Sequence, residues 1–141
     1  MTPSQIILVR DSFAKLTPSH EAVATRFYEN LFEIDPSTRK LFNGDMRTQG
    51  IKLIVALATV VRSLDNLAPV LATVHELGRR HVEYGVEARH YASVGQALLE
   101  TLHECFGATF DGEMRSAWTA AYEAVSGTMI EAARSSTPQA A

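Results

Sequence analysis

Apolar residues recur every three or four positions along nearly the whole chain, and this period constrains the fold more than any other feature. Ile6, Val9 and Phe13 share a face. Val23, Phe27 and Leu31 repeat at four, as do Ala24, Tyr28 and Phe32. Leu53, Leu57 and Val60 form another stripe, followed by Val74, Leu77 and His81, then Val94, Leu98 and Leu102. Met114, Trp118, Tyr122, Val125 and Met129 complete the series. A period near 3.6 places such residues on one side of a helix. No alternating run with a hairpin signal is present, so strands are not expected.

The prolines punctuate these stripes. Thr2-Pro3, Thr17-Pro18 and Asp35-Pro36 each pair a capping side chain with a first-turn proline, and Gln5 completes a capping box with Thr2. Pro69 occupies a similar place after Leu67-Ala68, and Gly85 reads as a helix C-terminal glycine. These signals predict helices over about 3–16, 18–34, 47–64, 68–84, 88–106 and 111–134, with a short helical turn near 36–41, to within ~2–4 residues. The fold class is all-α, with one core over residues 1–134. The Ala/Ser-rich tail from 135 to 141 is expected to be disordered.

At 141 residues the chain is one domain's worth, too short for a nucleotide-binding domain beside another domain. Thirteen basic against 16 acidic residues form no basic stripe, so a nucleic-acid partner is not expected. The N-terminus lacks a signal-peptide pattern, and the longest uncharged apolar stretch, 53–61, cannot span a bilayer. A lone Cys105, expected to be buried in its helix, fits a reducing compartment, and a cytoplasmic location is expected. There is no glycine-rich phosphate loop, no H-E-x-x-H and no paired-cysteine metal site.

Three polar residues interrupt apolar faces. His81 continues the stripe of Val74 and Leu77, Gln49 opens the face of Leu53 and Val60, and Tyr28 lies between Ala24 and Phe32. Each alone reads most simply as a structural residue. Together they point to different chemistry. A neutral imidazole is a good iron ligand, and a phenol and an amide are donors suited to a polar diatomic molecule on the opposite side of a metal. In an otherwise apolar helical core this set suggests haem held by a proximal histidine.

The same residues carry a family resemblance. Phe27-Tyr28-Glu29-Asn30-Leu31-Phe32, Asp35-Pro36, Leu41-Phe42, Gln49 with Leu53, and Leu64-Asp65-Asn66-Leu67 follow in order. Leu77-Gly78-Arg79-Arg80-His81, Tyr84-Gly85-Val86, Tyr91-Ala92-Ser93-Val94-Gly95, and Trp118 with Tyr122 continue the pattern. In these motifs and their spacing the chain resembles the globins, specifically bacterial single-domain globins and the globin domain of flavohaemoglobins. The resemblance spans roughly residues 4–134 and implies a globin fold around haem b.

The resemblance also implies roles. His81 resembles the proximal iron ligand, with a backbone carbonyl near Leu77 available to orient it. Tyr28 and Gln49 resemble the distal pair, and Phe42 the aromatic that packs on the haem face. Leu53 and Val60 resemble distal packing residues, and Val86, Tyr91 and Val94 proximal haem contacts. Lys52 and Arg80 are candidates for the haem propionates. Ala24 and Gly50 match a close helix crossing. One departure stands out. Flavohaemoglobins share a proximal Tyr–Glu pair, and Tyr91 matches its tyrosine, but Ala133 holds the glutamate's place. Glu131, two residues earlier, lies about 200° away around the helix.

Two functions follow. The first is binding of O₂, and of NO and CO, at ferrous haem for storage, scavenging or delivery, with Tyr28 and Gln49 stabilising the ligand. The second is nitric oxide dioxygenation, in which the same pair serves catalysis and a separate NAD(P)H-dependent reductase supplies electrons.

Overall fold

A computed structural model describes residues 1–42 and 44–136, without the side chains of residues 83, 133, 135 and 136. The elements are α1 (Pro3–Leu16), α2 (His20–Ile34), α3 (Met46–Arg62), α4 (Leu71–Glu83), α5 (Ala88–Phe106) and α6 (Glu113–Ser136). Short 3₁₀ turns at Thr17–Ser19, Pro36–Leu41, Ala68–Val70 and Gly107–Phe110 join them. No strand occurs among the described residues. Helix α6 runs two residues into the expected tail, and 137–141 lie outside the described residues.

Local chemistry explains most of the ends. The Thr2 hydroxyl accepts from the Gln5 N–H at 3.1 Å, and the Gln5 side chain accepts from the Thr2 N–H at 3.0 Å. Asp35 accepts from the Ser37 N–H at 3.1 Å and caps the turn at Pro36–Leu41. Its other oxygen accepts from the Ser93 hydroxyl at 2.9 Å, which ties that turn to α5. Gly85, at φ +89°, lets the chain leave α4 in a left-handed conformation that a side chain would oppose. The cap expected at Thr17 does not form. Thr17 continues the right-handed helical backbone of α1 (φ −53°, ψ −45°), whereas an N-cap residue needs a non-helical, typically extended conformation. The Thr17-Pro18 pair therefore makes a 3₁₀ turn, and α2 begins after it.

Helix α4 packs along α6, α2 crosses both α5 and α3, and α1 lies against α6. The main core is built around Val9, Phe27, Leu31, Leu98, Leu102, Phe110 and Trp118. Each fully buried side chain of this size contributes roughly 1.5–3 kcal/mol. A smaller cluster of Val74, Tyr91 and Met129 joins α4, α5 and α6. Several buried polar groups are paired within the core. Asn30 donates to Thr101 at 3.0 Å and to Glu104 at 2.7 Å, and the Trp118 N–H donates to Ser12 at 2.9 Å. The burial expected for Cys105 is corrected: the residue is exposed. The fully buried stripe of α5 ends at Leu102, and residues 103–105 face outward.

Two glycines mark close crossings. A Cβ on Gly50 would stand 3.2 Å from the Ala24 Cβ, so α2 and α3 approach where Ala24 and Gly50 were expected to meet. A Cβ on Gly78 would stand 2.5 Å from the Met129 carbonyl oxygen and 2.8 Å from its Cα. Backbone thus meets backbone where α4 crosses α6, three residues before His81.

Candidate functional site

The candidate residues divide between the two clusters of the core. Phe42, Leu53, Val60 and Val94 pack against the main cluster, which contains Tyr28. Leu77 and Val86 pack against the smaller cluster, which contains Tyr91. Helix α2 supplies Tyr28, α3 supplies Gln49, and α4 supplies His81.

His81 is half-buried near the C-terminal end of α4. Its Nδ1 lies 2.6 Å from the Leu77 carbonyl oxygen, one turn back. A carbonyl can only accept, so Nδ1 carries the proton and Nε2 keeps its lone pair. Burial pushes the imidazole pKa below its ordinary value, partly opposed by the Leu77 carbonyl. The ring is therefore neutral, oriented and competent to ligate through Nε2. Tyr91 stacks on it, with ring centroids 6.4 Å apart and planes 28° apart.

Tyr28 sits in an aromatic nest. Its ring lies 5.0 Å from Phe27, 5.3 Å from Phe42 and 6.0 Å from Phe32. Its hydroxyl lies 3.5 Å from the Gln49 backbone oxygen. That is the outer limit of a hydrogen bond, so the phenol proton is only weakly engaged. Burial raises the phenol pKa, with contact to Gln49 partly opposing, so the group stays protonated as a donor. Gln49 is half-buried. Phe32, whose ring lies 5.8 Å from Phe42, extends the aromatic wall and carries the Arg39 guanidinium at 5.0 Å on its outer face.

The tyrosine stacked on His81 is held through its backbone and not through its hydroxyl. The Tyr91 hydroxyl is buried without a hydrogen-bond partner, and burial raises its pKa. Among the described residues it is not joined to a carboxylate, and the Ala133 side chain lies outside those described. The Tyr91 backbone is held instead: its carbonyl accepts from the Tyr122 hydroxyl at 2.6 Å. In the sequence Tyr122 was legible as part of the α6 stripe and, with Trp118, of the family resemblance, but not as a partner of Tyr91. Lys52 and Arg80 are both exposed, and Arg80 lies 3.8 Å from Glu76.

These features fit haem. No group of three or more His, Cys, Asp or Glu side chains able to hold a bare ion occurs among the described residues. A single prepared imidazole would suit an iron whose remaining donors come with a macrocycle. The clustered aromatic side chains of Tyr28, Phe32 and Phe42 would offer apolar contact to such a ring.

Known proteins place the chain in context. The family model described as Globin matches residues 25–129. A flavohemoprotein of Vibrio cholerae is 30% identical over 125 residues, which cover 86% of this chain and 32% of that protein. A flavohemoprotein of Bordetella pertussis is 32% identical over 125 residues, covering 86% of this chain and 31% of that one. The chain thus spans about a third of the length of these relatives. Among solved structures, a bacterial globin from Campylobacter jejuni superposes with a TM-score of 0.81 at 25% identity, covering 95% of this chain and 97% of that one. An engineered carbene transferase, described as a proposed nitric oxide dioxygenase from Rhodothermus marinus, superposes with a TM-score of 0.84 at 28% identity. That match covers 96% of this chain and 94% of that one.

Proposed function

Because this chain belongs to the globin family, we propose that it holds haem b through His81 and binds O₂, with NO and CO, beside Tyr28 and Gln49. The observation that carries this is the His81 imidazole, whose Nδ1 is committed to the Leu77 carbonyl at 2.6 Å. That bond orients the ring, fixes its tautomer and raises the donor strength of Nε2. A carbonyl partner leaves the ligand a neutral imidazole, whereas a carboxylate would pull it toward imidazolate. With the Tyr91 hydroxyl unpaired, His81 has no second charged support of that kind.

When bound, the haem iron supplies a coordination position at which a diatomic gas carries partial negative charge. The chain's own contribution there is donor groups. Tyr28 offers a protonated hydroxyl with little internal competition for its proton. Gln49 offers an amide from the facing helix. Each hydrogen bond to a charged partner contributes roughly 1.5–3 kcal/mol. Two of them hold O₂ tightly and release it slowly, which suits scavenging better than delivery. Phe42, Leu53 and Val60 line the distal side and exclude water. Val86, Tyr91 and Val94 support the proximal side. Lys52 and Arg80, both exposed, are the candidate cations for the haem propionates.

Replacing His81 with Ala tests the iron assignment. The variant is expected to purify haem-poor, and a full, unaltered Soret band would sink the assignment.

A second reading, nitric oxide dioxygenation, is favoured by likeness to flavohemoproteins and to the Rhodothermus marinus protein. In it NO, O₂ and one electron give nitrate, the electron coming from a separate NAD(P)H-dependent reductase. Tyr28 and Gln49 then hold the oxygen while NO arrives. NO consumption by the oxygenated protein, with a flavin reductase and NAD(P)H present, separates the two. Sustained turnover supports the enzyme, and a single stoichiometric oxidation supports the binding protein.

A further inference from the structure

A buried histidine fastens the start of α5. His90 is 2% exposed, and its Nδ1 accepts from the Glu87 backbone N–H at 2.8 Å. Glu87 is the extended N-cap of the helix, so the imidazole fills the place that a Glu or Gln side chain takes in a capping box. A neutral ring nitrogen that accepts carries no proton, which puts the proton on Nε2. That Nε2–H is buried and has no hydrogen-bond partner. The fold therefore holds the ring neutral from both sides. A second proton, on Nδ1, would face the Glu87 N–H, and the new charge would meet no acceptor at Nε2. An unpaired charge is costly in a dry interior.

The Glu87 bond anchors the link between α4 and α5. Within that link the Tyr84 N–H donates to the Arg80 carbonyl at 3.1 Å, the Gly85 N–H to the Val82 carbonyl at 3.0 Å and the Val86 N–H to the His81 carbonyl at 2.9 Å. The link thus runs from the His81 turn to Glu87, and His90 holds its far end. Glu87 and Arg89, paired at 2.6 Å, flank His90 on the first turn of α5. Lys40 from the Pro36–Leu41 turn and Asp35 from the end of α2 face that turn. A charged imidazole that leaves the core meets the exposed Glu87 carboxylate there.

We propose that His90 is an acid-operated latch: its neutral ring holds the link from Tyr84 to Glu87 onto α5, and protonation of the ring releases that link. Released, the link no longer steadies the last turn of α4, which carries His81. The effect on haem rests on the assignment of His81, and the latch itself does not.

The test is NMR of the full chain, with CO added so that any bound haem is diamagnetic. A two-bond proton–nitrogen spectrum reads the His90 tautomer. Amide exchange, corrected for its intrinsic pH dependence, reads the Glu87 N–H. A neutral ring with its proton on Nε2 is expected. Glu87 protection should fall at least about tenfold between about pH 8 and 5, following the charging of His90, while the Leu98 and Leu102 amides stay protected. His90→Gln accepts the same N–H but takes no proton, and should keep Glu87 protection constant over that range. His90→Leu should lack the protection at every pH. A proton on Nδ1, Glu87 protection that does not follow the His90 charge, loss shared with Leu98 and Leu102, or the parent's pH dependence in His90→Gln would overturn the proposal. The parent chain decides the matter even if neither variant folds. None of these signals comes from haem, so an unaltered Soret band in His81→Ala would sink the iron assignment and leave the latch standing.

Discussion

Tyr28→Phe separates what the phenol ring does from what its hydroxyl does. The ring contacts with Phe27, Phe32 and Phe42, at 5.0, 6.0 and 5.3 Å between centroids, survive the change. The hydroxyl's recorded bond, to the Gln49 backbone at 3.5 Å, is long and weak. Removing it should therefore alter folding stability by less than about 1 kcal/mol, the value of an ordinary internal hydrogen bond. A donor to a partly charged ligand is worth more, roughly 1.5–3 kcal/mol. At about 1.4 kcal/mol per decade, O₂ should leave the variant roughly 10- to 150-fold faster. Stopped-flow displacement of O₂ by CO gives the rate, and urea unfolding gives the stability. An unchanged rate with an intact Soret band would remove Tyr28 from the ligand site. A large stability loss with an unchanged rate would make the hydroxyl structural.

The two close-packed glycines should respond differently. Gly78→Ala drives a Cβ into the Met129 backbone and should cost about 1–3 kcal/mol in chemical unfolding, with weakened haem retention. Gly50→Ala meets only the Ala24 methyl at 3.2 Å and gains up to roughly 1 kcal/mol of helix propensity, so its unfolding midpoint should barely move. Ser12→Ala strands the Trp118 N–H in the core and should cost roughly 1–3 kcal/mol in the same assay. Arg26, at 2.6 Å, holds the Glu104 carboxyl below its ordinary pKa, with Asn30 assisting. The folded chain therefore binds fewer protons than the unfolded one just below the ordinary value of 4.5. This contribution is present above that value and is lost as pH falls through the folded pKa. Glu104→Gln should flatten the acid limb of stability against pH, and an unchanged limb would remove this pair from it.

Helix content and order were legible because the period and the caps are local. Thr2 with Gln5 and Asp35 with Pro36 act through residues within one turn, and both form as expected. Asp45 caps α3 by accepting from the Arg47 and Thr48 N–H groups, a signal equally local in the sequence. Thr17 shows the opposite case, a cap signal overridden because the preceding helix continues through it. The site was legible as residue types on faces. His81, Tyr28 and Gln49 stood out because polar groups interrupt apolar stripes. Their geometry was not legible, since the distance from Tyr28 to Gln49 depends on how α2 crosses α3. The unpaired Tyr91 hydroxyl is likewise a product of packing between distant segments. Cys105 misled because an apolar stripe does not announce where its covering partner ends.

The contact between Gly78 and Met129 bears on how the His81 side of the molecule can move. The Gly78 backbone of α4 meets the Met129 backbone of α6 there, beside the Ala132 methyl, and Gly85 releases the chain two turns later. A helix held at such a point cannot slide along its neighbour without driving one backbone into the other. It can still tilt about that point as a rocker does about its fulcrum. His81 lies on the free arm, one turn from the pivot. On the proposed role of His81, any displacement of the imidazole would be steered into rotation of the last turns of α4 and the segment around Tyr84 and Val86, with α6 as the stationary frame.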